Sequence, residues 1–209
     1  MTEAGATGAV LPHLIYAALW LAFGASHSLL CGEGAKAALG PLLGAGYRLA
    51  YNGFALICIG VVFAVGYLIL HPSLFQLSGT PWGFGLLVVQ IAGLVFGLIA
   101  LRGYDLGRFA GTEQLRRARA GLPPEDDEPL RIEGLNRYLR HPLYLAAYLI
   151  LWGGAVDDRG LATALWGSVY LWLGARFEER RLLARYGQAY AEYRDRTPSV
   201  IPGLSGWGR

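Results

Sequence analysis

Five apolar stretches dominate the chain and are separated by polar segments. They lie at roughly Leu11–Leu30, Leu49–Leu70, Trp82–Leu101, His141–Val156 and Leu161–Phe177. A hydrocarbon core of about 30 Å needs about 20 helical residues to cross it. The first three stretches reach that length, and the ends of the shorter last two are expected to lie in the interface. The pattern predicts an all-α polytopic membrane protein with about five transmembrane helices.

A tight polar turn, Asp157–Gly160, joins the last two apolar stretches and predicts an antiparallel helix hairpin. In such a hairpin the start of the first helix and the end of the second lie at the same membrane face. Arg140-His141 precedes the first helix, and Glu178-Glu179 follows the second. Charged groups beside hydrocarbon are costly and need partners. The hairpin therefore predicts a polar pocket at the water boundary.

The polar segments contain further predicted elements. Within the long segment Gly103–Arg137, a short surface helix is predicted at Glu113–Arg119, and Pro123–Pro129 is predicted to be a solvated acidic turn. The tail Arg180–Asp195 has apolar residues at helical spacing and predicts an amphipathic helix. That helix could lie on the membrane surface or fold back as a lid over the pocket.

The placement of arginine predicts the orientation. Eight arginines lie from Arg102 to Arg140 and seven from Arg176 to the C-terminus, whereas Leu70–Pro81 has none. Cytoplasmic loops are enriched in Lys and Arg. We expect the N-terminus outside and the C-terminus in the cytoplasm, in what is predicted to be a bacterial inner membrane. No basic region precedes the first apolar stretch, so no cleavable signal peptide is expected.

Composition narrows the class of protein. Hydrophobic residues make up 54% and charged residues 16% of the chain, against roughly 25% charged residues in soluble domains. This balance favours a single integral membrane domain over residues 1–209. The net charge of +3 is small and dispersed, which argues against a nucleic-acid partner. Cys31 and Cys58 lack metal-ligand spacing, so no metal site is predicted.

The entry of the fourth stretch offers cations and hydrogen-bond donors. Pro142 suits the first turn of a helix, and free N–H groups there, with Arg140 and His141, would suit an anion. Tyr144 follows His141 at a spacing that places both on one helix face. Ordinary anchoring at the membrane interface is the alternative for these residues, and a simple charge cluster is the alternative for Glu178-Glu179.

Polar residues in the earlier stretches are further candidates. His27 and Asn52 are predicted to lie at the cytoplasmic level, where they could serve the reaction, although packing is the alternative for His27. Gln90 is expected to form a helix–helix hydrogen bond, and Gly93 with Gly97 is expected to serve internal packing.

The C-terminal third carries several motifs in a specific order and spacing. They are Gly134-x-x-Arg137-Tyr138-x-Arg140-His141-Pro142-x-Tyr144, then Glu178-Glu179-x-x-Leu182-x-x-x-Tyr186-Gly187-x-x-Tyr190-x-x-Tyr193, and a closing Pro202. Together they resemble the isoprenylcysteine carboxyl methyltransferase family, and more loosely the phospholipid N-methyltransferases, over residues 134–202. Tyr186 stands where the family usually has Phe, and Thr197-Pro198 replaces a common Val-Pro. In the N-terminal part, a looser match is formed by Phe23–Leu29, Tyr47–Asn52 and Asp105–Leu115. These segments resemble the bacterial branch that includes methanethiol S-methyltransferases.

The resemblance implies a binding site for S-adenosylmethionine at the cytoplasmic face. The implied cofactor-binding residues are Arg140, His141, Pro142, Tyr144, Glu178, Glu179, Tyr190 and Tyr193. His27 and Asn52 are the candidate catalytic residues on the acceptor side. A small thiol or a lipidic acceptor that partitions into the membrane is expected, with membrane lipids as further partners.

Several functions remain open at this stage. A thiol acceptor is favoured over a prenylcysteine-like carboxylate or a lipid amine. From other classes, the chain could be a non-catalytic membrane protein or a sterol-reductase-like enzyme. No Gly-x-Gly-x-x-Gly motif supports the reductase alternative.

Overall fold

A computed structural model describes residues 3–71, 74–123 and 129–201. Within these ranges the regular structure is helical, apart from one antiparallel bridge between Gln76 and Asp157. The helices are α1 (Glu3–Leu30), α2 (Glu33–Leu43), α3 (Tyr47–Ile69), α4 (Pro81–Leu101), α5 (Leu106–Ala110), α6 (Thr112–Arg119), α7 (Pro142–Gly153), α8 (Asp158–Tyr186) and α9 (Gln188–Arg196). The predicted all-α class is confirmed. Pro202 and most of the predicted acidic turn lie outside the described residues.

Three helical segments among the described residues are long and apolar enough to cross a membrane. They are Val10–Leu30, Glu33–Ile69 and Pro81–Leu101, and α7 is a shorter apolar helix. Many of their large apolar side chains face outward, as Leu56 and Leu98 do. Exposed apolar surface on this scale is typical of contact with lipid rather than water. These segments suggest an integral membrane protein, whereas five spans remain a prediction.

Two compact units organise the chain, and the first comprises Met1–Pro72 and Asp105–Asp126. In this unit α1 packs closely on α3, because a Cβ on Gly66 would lie 2.4 Å from the ring of the buried Tyr16. The predicted surface helix at Glu113–Arg119 is confirmed as α6. Helix α2, in contrast, occupies the segment between the first two stretches that the apolar pattern left without an element.

The second unit comprises Ser73–Tyr104 and Asp127–Arg209, and its core is the contact of α4 with α7. A Cβ on Gly93 would lie 2.7 Å from the Cβ of Leu149, and one on Gly153 would lie 2.4 Å from the backbone nitrogen of Gln90. The Gln90 amide donates to the Ile150 carbonyl at 3.4 Å. The predicted roles of Gln90 and Gly93 in helix packing are confirmed, because small residues let helices approach closely.

Helices α7 and α8 form the predicted hairpin. The Asp157 carboxylate caps α8 by accepting from the Gly160 N–H at 2.6 Å, as residues of its type do at helix N-termini. The predicted tail helix Arg180–Asp195 is divided between two helices rather than forming one element. Helix α8 continues to Tyr186 and ends at Gly187, whose φ of +55° favours glycine. The turn at Gly187 then starts α9.

Candidate active site

A buried ion-pair cluster connects the beginning of α7 with the distal half of α8. The Arg140 guanidinium donates to Glu179 Oε1 from Nε at 2.9 Å and from Nη2 at 2.8 Å. His141 Nε2 lies 3.0 Å from the same oxygen. Because an ionised carboxylate only accepts, this nitrogen carries the proton in the contact. The predicted meeting of Arg140-His141 with Glu179 at one end of the hairpin is therefore present.

The tail after α9 closes over this cluster. The backbone N–H groups of Arg140 and His141 donate to the carbonyls of Pro198 and Ser199 at 2.9 and 3.0 Å. Arg140 Nη1 also donates to the carbonyls of Arg194 and Thr197. These backbone donors are consequently not available to an anion. The expected anion site at the N–H groups of the first turn of α7 stays a prediction.

Glu178 has a more open environment than its neighbour. Its Oε2 accepts from the Tyr144 hydroxyl at 2.8 Å and lies 3.7 Å from His141 Nδ1. The Tyr144 ring stacks on the His141 ring with centroids 5.0 Å apart. The Glu178 side chain is 40% exposed, against 11% for Glu179. Glu178 therefore has carboxylate surface that a ligand can reach.

The buried carboxylate is held in its ionised form. Burial alone would raise the pKa of Glu179, but the hydrogen bonds and positive charges of His141 and Arg140 outweigh it and lower that pKa. Every hydrogen bond described for Glu179 ends on Oε1. Its second oxygen, Oε2, thus keeps its lone pairs for a positively charged partner.

Tyr190 and Tyr193 differ in how their hydroxyl groups are satisfied. The Tyr193 hydroxyl donates to the Asn136 carbonyl at 2.6 Å, and burial raises its pKa to about 12. Tyr190 is fully buried, and its hydroxyl finds no hydrogen-bond partner within the described residues. Burial raises the pKa of Tyr190, with nearby Glu179 adding to the effect. An unsatisfied buried hydroxyl is rare and calls for an explanation, for which a ligand is one candidate.

An apolar cavity of about 630 Å³ opens between α7 and α8. It is lined by Leu145, Tyr148, Trp152, Ser168, Val169, Trp172, Ala175, Arg176, Glu179, Ser199, Val200 and Ile201. Glu179 therefore contacts the ion-pair cluster on one side and the cavity on the other. Sequence analysis missed the cavity and the contributions of Arg176 and Ser199. The contacts made by the tail carbonyls gave no signal, because a backbone contact does not depend on residue identity.

His27 and Asn52 belong to the first unit. The Tyr51 hydroxyl lies 2.8 Å from His27 Nε2, and the two rings lie 5.2 Å apart. The Asn52 amide donates to the carbonyls of Phe109 and Ala110 at 2.9 and 3.0 Å, which ties α3 to the end of α5. Their predicted roles on the acceptor side stay predictions.

Curated proteins resemble parts of this chain. It is 38% identical over 71 residues to methanethiol S-methyltransferase 2 of Bradyrhizobium diazoefficiens, covering 34% of this chain and 27% of that protein. It is 28% identical over 126 residues to methanethiol S-methyltransferase of a Pseudomonas species, covering 59% and 48% of the two chains. Methanethiol S-methyltransferase of Mycobacterium tuberculosis is 33% identical over 69 residues, covering 32% and 28%.

These similarities are partial. The matched segments span about half or less of the length of the curated relatives. No protein-family model matches the chain, and no solved structure matches it at a significant level. The resemblance predicted from the sequence, to isoprenylcysteine carboxyl methyltransferase-like membrane methyltransferases and their methanethiol S-methyltransferase-like branch, is thus confirmed as distant homology over part of the chain.

Proposed function

We propose that this protein is a membrane methyltransferase that transfers a methyl group from S-adenosylmethionine to a thiol. One observation carries the proposal beyond homology: the predicted motif residues Arg140, His141, Tyr144, Glu178 and Glu179 form one cluster, which is joined by hydrogen bonds, ion pairs and a ring stack. A cluster that merely anchored a helix would not need a free carboxylate oxygen and an unsatisfied buried hydroxyl beside it.

The polar groups of this site fit the proposed cofactor. S-adenosylmethionine supplies a methyl group on a positively charged sulfonium, together with an ammonium group and ribose hydroxyls. The exposed face of Glu178 and Oε2 of Glu179 suit those cations, and the Tyr190 hydroxyl suits a polar group of the ligand. The Tyr144 hydroxyl donates to Glu178 Oε2, and His141 Nδ1 lies near the same oxygen, so these two side chains orient the Glu178 carboxylate.

Arg140, Pro142 and Tyr193 are proposed as positioning residues. The Arg140 guanidinium donates to Glu179, Arg194 and Thr197, which fixes the carboxylate and the tail together. Pro142 begins α7 and is fully buried, and Tyr193 bonds to Asn136. Orientation of this kind supports methyl transfer, because holding two reactants in line can supply several kcal/mol of the barrier.

His27 and Asn52 are proposed to serve the acceptor side of the reaction. The thiolate rather than the thiol is the nucleophile. Five spans, an outside N-terminus, a cytoplasmic C-terminus and a site at the cytoplasmic face of a bacterial inner membrane belong to the same proposal. The arginine distribution supports this orientation.

A direct test measures tritiated-methyl transfer from S-adenosylmethionine to thiols, prenylcysteines and lipid amines by the purified protein. We expect transfer to thiols. Glu178→Gln should weaken S-adenosylhomocysteine binding in calorimetry by about tenfold to a hundredfold, since a charge-assisted hydrogen bond is worth roughly 1.5–3 kcal/mol. Glu192→Gln, which alters an exposed acid of α9, is the matched control. Absence of both binding and transfer would refute the proposal.

The acceptor side has its own test. His27→Ala should lower methyl transfer strongly and leave S-adenosylhomocysteine affinity near wild type, and Ser28→Ala at the neighbouring position serves as control. Normal turnover by the His27 variant would contradict this proposal and favour a packing role for His27.

A further inference from the structure

The cavity between α7 and α8 has walls that are more apolar than its aromatic residues suggest. Trp152 Nε1 donates to Ser168 Oγ at 3.0 Å, and the Tyr148 hydroxyl donates to the Ser168 carbonyl at 3.3 Å. These polar atoms are thereby satisfied within the wall. With Val169 and Leu145, the aromatic rings present hydrocarbon to the interior.

Polar groups gather where the cavity meets the ion-pair cluster. Glu179 and Ser199 line it there, and the Ser199 hydroxyl lies 3.4 Å from Glu179 Oε1. Arg176 also lines the cavity, with its guanidinium carbon 4.2 Å from the centre of the Trp172 ring. Among the salt bridges of the described residues, none engages Arg176. This cation is therefore available to an anionic ligand atom.

The size of the cavity bears on which ligand it holds. Its volume is about 630 Å³, within the roughly 300–1,000 Å³ of ordinary small-molecule sites. A water molecule occupies about 30 Å³ of liquid, so a thiol with two non-hydrogen atoms would fill roughly a tenth of it. The apolar walls would also leave the many polar groups of S-adenosylmethionine without partners, which is costly. An apolar chain of several carbons suits the space better.

We propose that this cavity binds the methyl acceptor, and that the acceptor is a thiol with an apolar substituent much larger than the methyl group of methanethiol. The inference rests on the proposed function and specifies its substrate class. The chain lies along Val169, Leu145 and the tryptophans, and the sulfur lies at the polar end beside Arg176.

The chemistry balances without a further reactant. The thiol loses its proton to water at the exposed polar end, and Arg176 stabilises the resulting thiolate, as a neighbouring cation does for cysteine. The thiolate sulfur forms a bond to the methyl carbon of the donor. The bond from that carbon to the sulfonium breaks and leaves its electron pair on the donor sulfur. The products are a methyl thioether and S-adenosylhomocysteine.

A chain-length series tests the substrate class. For wild type, we expect kcat/KM to rise at least tenfold from methanethiol to hexanethiol, because each buried methylene is worth about fourfold in binding. Val169→Trp narrows the cavity and should abolish this rise while leaving S-adenosylhomocysteine affinity within twofold of wild type. Leu173→Trp is the matched control, because Leu173 is an exposed residue of α8 that does not line the cavity.

A binding experiment separates the cavity from catalysis. An undecyl methyl thioether with a terminal diazirine is photolysed with the purified protein, and the labelled residues are mapped by mass spectrometry. We expect labels at Trp152, Val169 or Trp172, and their loss in Val169→Trp but not in Leu173→Trp.

The outcomes are distinguishable. Equal kcat/KM along the thiol series, or labels confined to residues outside the cavity, would overturn the acceptor assignment while leaving thiol methylation intact. A tenfold loss of S-adenosylhomocysteine affinity in Val169→Trp would assign the cavity to the cofactor and also overturn it. Transfer to no thiol at all, with cavity labels present, would refute the proposed function and show an apolar ligand site of another purpose.

Discussion

Removing the charge of Glu179 should cost far more stability than removing that of the adjacent Glu178. The side chains of Arg140 and Glu179 are only 6% and 11% exposed, whereas that of Glu178 is 40% exposed. Breaking a buried ion pair by removing one partner costs about 3–5 kcal/mol, because the remaining charge is stranded. An exposed pair is worth about 0–1 kcal/mol. The loss of stability should therefore differ strongly between the variants of these two neighbouring carboxylates.

Thermal unfolding in detergent, followed by circular dichroism, measures the difference. A change of 1 kcal/mol shifts Tm by roughly 2–4 °C in chains of 150–250 residues. Glu179→Gln should therefore lower Tm by about 6–20 °C, and Glu178→Gln by no more than about 4 °C. Adding Arg140→Gln to Glu179→Gln should recover part of the loss, because it removes the stranded cation. Equal, small Tm shifts in the two single variants would refute this account of the cluster.

Three further predictions follow from the second unit. Tyr190→Phe should leave Tm unchanged, because no described hydrogen bond is lost, and should lower the affinity for S-adenosylhomocysteine measured by calorimetry. Tyr193→Phe should lower Tm, because the hydrogen bond from its hydroxyl to the Asn136 carbonyl is lost. Gly153→Ala should destabilise the protein, whereas Gly85→Ala, with open space around the added carbon, should not, as thermal unfolding of both will show. The pKa of Glu179 is lowered in the folded protein, so its contribution to stability is present above the unfolded carboxyl pKa of about 4.3 and is lost as pH falls through the folded value. Unfolding measured along an acid titration should therefore show a smaller loss of stability in Glu179→Gln than in wild type.

The pairing of α7 with α8 was predictable from the chain, and the length of α8 was not. The Asp157–Gly160 turn and the flanking apolar stretches are local signals, so the hairpin and its shared charged end followed directly. The continuation of α8 to Tyr186 leaves no such signal, because charged residues are good helix formers both inside and after a span. The helix stops at Gly187, which has a φ of +55°.

The sequence by itself determined the helical class and the residues available at the end of the hairpin. Backbone polar groups in lipid must be satisfied internally, so long apolar stretches can hardly be anything but helices. The sequence did not determine which of the two adjacent carboxylates, Glu178 or Glu179, is buried. Neighbouring helical residues point about 100° apart, and only packing against Arg140, His141 and the tail turns Glu179 inward and leaves Glu178 open. The contacts of the Arg194 and Thr197 carbonyls and the cavity beside Glu179 were likewise decided only by the tertiary structure. Every residue has a backbone carbonyl, and a cavity is formed by packing, so no residue type in the sequence indicates either feature.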